Sequence, residues 1–262
     1  MRRLAAPILL LYAGSVLGQG ILGYQDRYHP AYSTTGMVAA QNDVAAEVGA
    51  AVLADGGNAV DAAVAVGFAL AVTLPRAGNI GGGGFMLVYD ADTKETTAID
   101  YREMAPLGAT RDMFLDAAGN VVKERPRTTH LASAVPGTVA GLHAAHQKFG
   151  RLPWKRLVQP AVRLARDGIV VSHDLATKLV QAQDKLCAHE ASCGYFFKAG
   201  GKPYKMGELW VQKDLARTLK LIGRDGPDAF YKGPIADKIV AEMEAGGGLI
   251  DKASLAAYKA EF

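Results

Sequence analysis

The spacing of apolar residues first predicts a helix that begins near residue 43. Valine recurs at every fourth position from Val44 to Val52, which places these side chains on one face of a helix. Asn42 and Asp43 precede the first valine and can cap the helix N-terminus. The glycines at 56–57 follow the last valine and are typical of a helix end.

A second helix is predicted to follow directly, with a different pattern. Asn58 can cap its N-terminus, and Asp61 lies in the first turn, where a negative charge suits the helix dipole. The rest of 59–72 is alanine, valine, glycine, leucine and phenylalanine, and Pro75 ends the run. Because a helix without a polar face must be covered on every side, we expect this helix to lie between two layers.

A β-hairpin is predicted after four consecutive glycines at 81–84. Residues 85–89 form a continuous apolar run of buried appearance, 90–95 resemble a polar turn, and 96–101 have the composition of a returning strand. A hairpin brings its two ends together, so Arg102 should lie close to the glycines. The two segments can then contribute to one site.

Beyond the hairpin the pattern is mainly helical. Helices are predicted at 138–149, 154–166, 174–190, 215–223, 235–245 and 252–260. An all-apolar helix, a hydrophobic hairpin and a helical remainder together indicate a layered α/β fold. Since two strands cannot form a two-sheet core, we expect the chain to be one part of a larger fold.

Composition narrows the class of protein. Half of the 262 residues are hydrophobic and 21% are charged, which is the balance of a soluble globular enzyme. The formal net charge is only +3, and no basic face with interleaved aromatic residues is present in the sequence. Nucleic acid is therefore not an expected partner.

The N-terminus differs from the rest of the chain. A positively charged start at 1–3 precedes an apolar run at 4–17, and small residues such as Ser15 and Gly18 offer a processing site. This is the arrangement of a secretory signal peptide, which we place at 1–18, with a periplasmic or secreted product from 19 onward. The run is shorter than a bilayer-spanning helix, so no stable membrane anchor is expected. The alternative is an apolar N-terminus of a cytosolic protein.

Two cysteines, Cys187 and Cys193, lie six positions apart around His189. In an exported protein they can close a small disulfide loop, which stabilises the fold by about 2 kcal/mol in the chain-entropy account. They can also be two ordinary thiols. A metal site made of the three residues would need a fourth ligand, which the segment does not clearly supply. We favour the disulfide and expect no metal.

The glycines at 81–84 and Arg102 are the candidates for a binding site. Glycine has no Cβ, so backbone amides there can face a ligand, or another segment can pack closely against them. The arginine side chain is a planar fork of five donors that suits a carboxylate. It can equally pair with an internal acid such as Glu103 or Asp100.

These segments resemble the γ-glutamyltranspeptidase family, also called glutathione hydrolases. The resemblance continues in order along nearly the whole of 36–262, which makes the set specific although each motif alone is weak. The motifs are Gly36-Met37-Val38-Ala39-Ala40, Asp55-Gly56-Gly57-Asn58-Ala59-Val60-Asp61, Gly81-Gly82-Gly83-Gly84-Phe85-Met86, Asp100-Tyr101-Arg102-Glu103-Met104-Ala105-Pro106, Ala134-Val135-Pro136-Gly137-Thr138, Ala165-Arg166-Asp167-Gly168 and Gly226-Pro227-Asp228-Ala229-Phe230-Tyr231.

The resemblance implies a fold, an activity and separate roles for a large and a small subunit. The fold is a partial N-terminal-nucleophile hydrolase-type αββα sandwich, rich in helices, of which 19–262 would be the N-terminal portion of the large subunit. The reaction transfers a γ-glutamyl group from glutathione to water, an amino acid or a peptide through a threonyl ester. The threonine begins a small subunit downstream, so no catalytic residue is expected in this chain. Arg102 would bind the α-carboxylate of the donor, without metal or organic cofactor.

Other interpretations remain open at this stage. The chain can be a catalytically silent homologue that acts as a binding or assembly module, or a remnant that does not fold alone. Thr128, Thr129 and His130 reproduce the Thr-Thr-His context of the family's nucleophile. Their continuation matches the large subunit, however, so we expect a helix-entry loop with cap-forming threonines.

Overall fold

The computed structural model describes residues 32–262. The chain divides into two units, Met1–Thr35 and Gly36–Phe262, and the second contains all the elements given below. The predicted signal peptide at 1–18 lies outside the described residues. Within those residues, no helix is long and apolar enough to cross a membrane.

The described elements are mostly helices. The longer helices are α1 (Asp43–Ala54), α2 (Ala59–Thr73), α4 (Thr138–Phe149), α5 (Trp154–Asp167), α6 (His173–Cys187), α8 (Lys213–Asp225) and α10 (Pro234–Gly246). The shorter helices are α3 (Arg125–Thr128), α7 (Glu190–Phe196), α9 (Asp228–Tyr231) and α11 (Lys252–Ala257), with 3-10 turns at His130–Ala132 and Ala199–Gly201. The strands β1 (Phe85–Tyr89) and β2 (Thr96–Asp100) form one antiparallel pair, and β3 (Ile169–Val170) and β4 (Leu209–Trp210) form another.

Helix α2 is buried at most of its positions, as its all-apolar pattern predicts. It packs against α1, α4 and α5, and α5 packs in turn against α8. Phe68 and Val64 of α2 are completely buried, and Leu157 of α5 and Leu219 of α8 are buried with them. Burial of a large apolar side chain stabilises a fold by about 1.5–3 kcal/mol relative to exposure, so these residues contribute strongly to the packing of the helices.

Asp61 fixes the N-terminus of α2 to a distant loop. Asn58 and Asp61 form a reciprocal capping box, in which each side chain accepts from the other residue's backbone amide at 2.9–3.0 Å. The Asp61 carboxylate also accepts from the amides of Arg151 and Leu152, at 3.1–3.3 Å. This carboxylate is fully buried, and its charge is stabilised by backbone donors from two segments.

The hairpin is amphipathic, which corrects the expectation of a buried strand. Met86 and Val88 turn toward the helices and are half-buried, and Ile99 of β2 is fully buried. Phe85, Leu87 and Tyr89 point the other way, with exposed fractions of 62%, 74% and 64%. The run is apolar on both faces, but the described residues cover only one of them.

The region after α5 also departs from the prediction in detail. The single helix predicted at 174–190 is two helices, because α6 ends at Cys187 and α7 begins at Glu190. A disulfide joins Cys187 and Cys193 across this break, which confirms the favoured interpretation of the cysteines. The short helices α3, α7 and α9 and the β3–β4 pair were not predicted from the pattern. The remaining predicted helices are confirmed, with ends that differ by up to three residues.

Candidate substrate-binding site

The hairpin closes on the glycines, as its pattern predicts. Gly84 and Tyr101 exchange two backbone hydrogen bonds of 3.2 and 3.0 Å, which extend the β1–β2 pairing by one residue pair. Arg102 is the next residue after this pair, and it therefore begins directly beside Gly83. The glycines and Arg102 thus lie together at one end of the hairpin.

Three of the four glycines are explained by close packing. A Cβ on Gly83 would lie 2.3 Å from the Tyr101 carbonyl oxygen, and a Cβ on Gly82 would lie 2.7 Å from the side-chain oxygen of Asn79. A Cβ on Gly84 would meet the ring of Tyr101 at 3.0 Å. Only Gly81 of the four faces open space in the described part of the chain. Close approach of neighbouring segments therefore accounts for Gly82, Gly83 and Gly84.

The glycine loop is also a backbone acceptor for α4. The Gly82 carbonyl accepts from the amides of Gly137 and Thr138, at 2.7 and 2.9 Å. Asn79 accepts from the Gly82 amide at 2.7 Å and from the Thr138 hydroxyl at 3.0 Å. Three of these bonds fix the loop to the N-terminal end of α4, and the bond between the Gly82 amide and Asn79 lies within the loop.

The main chain of Arg102 is held from both sides. Its amide donates to the Asp100 carboxylate at 2.8 Å, and its carbonyl accepts from the Tyr258 hydroxyl at 2.8 Å. Two positions before Arg102, Asp100 forms a backbone bridge with Glu261. Two positions after it, Met104 forms a backbone bridge with Val135. The backbone at Arg102 has little freedom to move.

The guanidinium of Arg102 is exposed, and among residues 32–262 it has one hydrogen-bonding partner and one ring contact. Its side chain is 62% exposed, and Nε donates to Oε2 of Glu103 at 3.0 Å. The carbon Cζ lies 5.8 Å from the ring centre of Phe85, within range of a cation–π contact. The bond from its own backbone amide and then the contact with Arg102 hold the pKa of Glu103 below its ordinary value. The expected pairing with an internal acid is present, and among the described residues it is made through Nε.

A tyrosine pair supports the site, and sequence reasoning missed it. The rings of Tyr231 and Tyr258 stack with centres 5.7 Å apart and an interplanar angle of 8°. The Tyr231 hydroxyl donates to the Pro136 carbonyl at 2.8 Å and accepts from the Ala140 amide at 3.2 Å. Burial is the main cause that raises the pKa of Tyr258 to about 12, followed by the charge of Asp100. Both hydroxyls are thus neutral donors at physiological pH.

The Thr-Thr-His triplet lies in a different setting. The Thr128 and Thr129 hydroxyls donate backward to the carbonyls of Glu124 and Arg125, at 3.3 and 2.8 Å. Neither side chain caps a helix N-terminus, so that detail of the expectation is wrong. The Nε2 atom of His130 contacts the Glu242 carboxylate at 2.8 Å. The threonine hydroxyls are engaged by the backbone of their own turn, which gives no activated nucleophile there.

Residues with metal-binding chemistry do not converge within the described part of the chain. No group of three or more histidine, cysteine or acidic residues there is arranged to hold a metal ion. His143 and His146 share a face of α4, but their rings pack against Trp154 with centres 4.9 and 5.4 Å away. His146 also bonds through Nε2 to the Leu152 carbonyl at 2.7 Å. Both histidines therefore belong to the packing of α4 on α5.

Comparison with known proteins identifies the family of this chain. The profile of a family described as gamma-glutamyltranspeptidase matches residues 45–262. A glutathione hydrolase proenzyme of Escherichia coli is 53% identical over 237 residues, which make up 90% of this chain and 40% of that protein. A proenzyme of the same description from Bacillus subtilis is 46% identical over 224 residues, 85% of this chain and 38% of that protein. The chain thus spans about 40% of the length of these curated relatives.

Solved structures give the same answer for the fold. The crystal structure of Helicobacter pylori gamma-glutamyltranspeptidase is 45% identical and superposes with a TM-score of 0.87, over 89% of this chain and 66% of that one. The expected fold class, a helix-rich part of the N-terminal-nucleophile hydrolase type of α/β fold, is confirmed by such neighbours. Since the family profile covers most of the sequence, the chain belongs to the γ-glutamyltranspeptidase family.

Proposed function

We propose that residues 19–262 are the N-terminal portion of the large subunit of a γ-glutamyltransferase or glutathione hydrolase. The complete enzyme transfers a γ-glutamyl group from glutathione to water, an amino acid or a peptide through a threonyl ester. Relatives described as glutathione hydrolase proenzymes support this reaction, and they extend well beyond the segment that this chain matches. The nucleophilic threonine belongs to the downstream small subunit, and the reaction uses no metal or organic cofactor.

Arg102 binds the α-carboxylate of the γ-glutamyl donor in this proposal. The observation that carries it is an exposed guanidinium on a backbone fixed at both its amide and its carbonyl. Glu103 occupies Nε, which leaves the terminal nitrogens for the carboxylate. Charge-assisted bonds of this kind are about twice as strong as neutral ones, and they fix orientation as well as position. Phe85 beneath the guanidinium limits the directions in which it can turn.

The partner of this chain is the small catalytic subunit, cut from the same precursor. The outward apolar side chains Phe85, Leu87 and Tyr89 give it a surface to cover. Three large apolar residues side by side on one strand are unfavourable in water and favourable under a second layer. Arg102 lies at the edge of this surface, so a nucleophile on the covering layer can reach a substrate held there.

The proposed enzyme works in the periplasm or outside the cell. Residues 1–18 would serve as its signal peptide, which is removed on export. The disulfide between Cys187 and Cys193 supports this location, because disulfides persist in oxidising compartments and are rare in the cytosol.

The test is steady-state kinetics of the complete precursor after self-cleavage, with a γ-glutamyl anilide as donor. Arg102→Ala and Arg102→Lys should raise KM, because the donor carboxylate loses its partner. The increase should correspond to a lost binding free energy of about 2–4 kcal/mol. Arg111→Ala is the matched control, since Arg111 also pairs with the acid that follows it and is 95% exposed. An unchanged KM in both Arg102 variants, or an equal change in the control, would remove the assignment.

A further inference from the structure

The carbonyl of Arg102 has a side-chain partner that is distant in sequence. The Tyr258 hydroxyl donates to it at 2.8 Å across 156 positions. Tyr258 follows α11, and Ser254 of the same helix accepts from the Leu107 amide at 3.0 Å. The segment that carries Arg102 is therefore attached to α11 at two points, one on each side of Pro106.

The ring of Tyr258 is itself fixed, so its hydroxyl is a rigid donor. Tyr258 is only 8% exposed and stacks on Tyr231, which is also buried. Tyr231 is anchored by hydrogen bonds to Pro136 and Ala140 at the start of α4. A donor of this kind restricts the peptide plane of Arg102 more than a flexible side chain or a water molecule would.

Glycine at 137 makes room for this hydroxyl. A Cβ at Gly137 would lie 2.0 Å from the Tyr258 oxygen and 2.1 Å from the Tyr101 carbonyl oxygen. The segment before α4, the residue after β2 (Tyr101, next to Arg102 in the chain) and the residue after α11 thus pack closely together at Gly137. This close packing restricts the backbone at Arg102.

We propose that Tyr258 is a positioning residue for donor binding, which holds the Arg102 carbonyl so that the guanidinium stays where the substrate carboxylate arrives. The inference rests on the proposed role of Arg102. When the hydroxyl is removed, the Arg102 carbonyl loses its partner and its peptide plane can rotate. Rotation of this peptide plane would move the Arg102 side chain and thereby displace its guanidinium.

The kinetic consequence is a change in substrate binding. Arg102 contacts a part of the donor that does not react, so its bond to the carboxylate is made in the ground state and in the transition state alike. Loss of such uniform binding raises KM and leaves kcat nearly unchanged. A general loss of structure would instead lower the amount of active enzyme and the melting temperature.

The experiment compares two Tyr→Phe variants of the complete precursor. Tyr258→Phe should raise KM for a γ-glutamyl anilide by about tenfold, in keeping with a lost buried hydrogen bond, while kcat stays within about a factor of two. Tyr195→Phe is the control, because the Tyr195 hydroxyl donates to Gln212 at the same 2.8 Å and burial raises its pKa to about 12 as well. The control should keep the KM of the unaltered enzyme.

A second background tests whether Tyr258 acts through Arg102. In the Arg102→Ala enzyme, the added Tyr258→Phe change should have no further effect on KM, because the positioned group is already missing. The inference is overturned if the effect of Tyr258→Phe persists there at full size. It is also overturned if Tyr258→Phe and Tyr195→Phe alter KM equally.

Crystal structures of the unaltered and Tyr258→Phe precursors separate this inference from the proposed reaction. A guanidinium displaced by about 1 Å or more supports positioning by Tyr258, since shifts of that size are enough to impair a binding geometry. A guanidinium that stays in place overturns it. Absence of γ-glutamyl transfer in the unaltered precursor would contradict the proposed function, and the two structures would still decide the role of Tyr258.

Discussion

At the scale of single residues, the glycine loop shows how closely the backbone of the site is packed. The Cβ positions of Gly82 and Gly83 would lie too close to atoms of Asn79 and Tyr101, at 2.7 and 2.3 Å, whereas that of Gly81 is open within the described residues. At Gly83 the conflict is with main-chain atoms, which cannot rotate away as a side chain can. The run of four identical residues thus contains positions with different requirements.

This difference predicts opposite outcomes for two alanine substitutions. Gly83→Ala should lower the free energy of unfolding by about 1–3 kcal/mol, because the new methyl group displaces the Tyr101 carbonyl and the residues after it. Gly81→Ala should leave stability within about 0.5 kcal/mol, since no neighbouring segment of 32–262 comes within 4 Å of its Cβ position. Urea denaturation of the complete precursor measures both. Equal stability of the two variants would refute the packing account of the loop.

The sequence predicts Arg102 as a binding residue, but it does not predict the two tyrosines that hold its backbone in place. Arg102 and the glycines are joined by a short hairpin, so local pattern places them together. Tyr258 and Tyr231 lie 156 and 129 positions away from Arg102 along the chain, and nothing in their local pattern indicates a role there. Such long-range contacts depend on how α9 and α11 pack, which periodicity does not specify.

At the scale of elements, α2 combines an apolar surface with one buried charge. Asp61 closes the capping box and also binds two amides of the loop after α4. The helix start and this loop are therefore coupled through one carboxylate. Its full burial makes each of these hydrogen bonds costly to lose.

Two substitutions of first-turn acids test this coupling. Asp61→Ala should destabilise the protein by about 2–4 kcal/mol, because it removes the cap and leaves buried amides without an acceptor. Asp43→Ala, at the exposed start of α1, should cost no more than about 0.5 kcal/mol. Thermal or urea unfolding of the complete precursor gives the comparison. A similar small loss in both variants would show that Asp61 is only a local cap.

The boundaries of α1 and α2 were predictable because caps are local signals. Asn42 and Asn58 accept from amides three residues ahead, as their positions before apolar runs indicate. The break between α6 and α7 has no such signal, since 174–190 contains neither proline nor glycine. The chain turns there with the help of the Cys187–Cys193 bond, whose geometry is a tertiary property. The apolar pattern therefore predicts one continuous helix across the break.

At the scale of the whole molecule, the outward apolar face of β1 has no cover within the described chain. The strand β1 looks buried in sequence because both of its faces are apolar, yet only Met86 and Val88 pack on the helices. The outward residues Phe85, Leu87 and Tyr89 would be covered by the proposed small subunit. The fold class was predictable from family resemblance, whereas the pattern alone indicated only a layered α/β arrangement.

A charge on this face should prevent assembly of the complete enzyme. Leu87→Asp places a carboxylate under the proposed covering layer, where an unpaired charge is strongly unfavourable. The precursor should then fail to cleave itself into two subunits, as seen by gel electrophoresis. Val180→Asp on α6 is the control, because Val180 is also exposed but lies outside the hairpin, and it should be processed normally. Normal processing of Leu87→Asp would contradict the proposed partner surface.

The most direct measurement of the central claim pairs Arg102 with the carboxylate it is proposed to bind. It compares kcat/KM for a γ-glutamyl anilide and for the analogue that lacks the α-carboxylate, in the unaltered enzyme and in Arg102→Ala. The account predicts that removing the carboxylate costs about 2–4 kcal/mol in the unaltered enzyme and almost nothing in the variant. The same penalty in both enzymes would show that Arg102 does not bind this group.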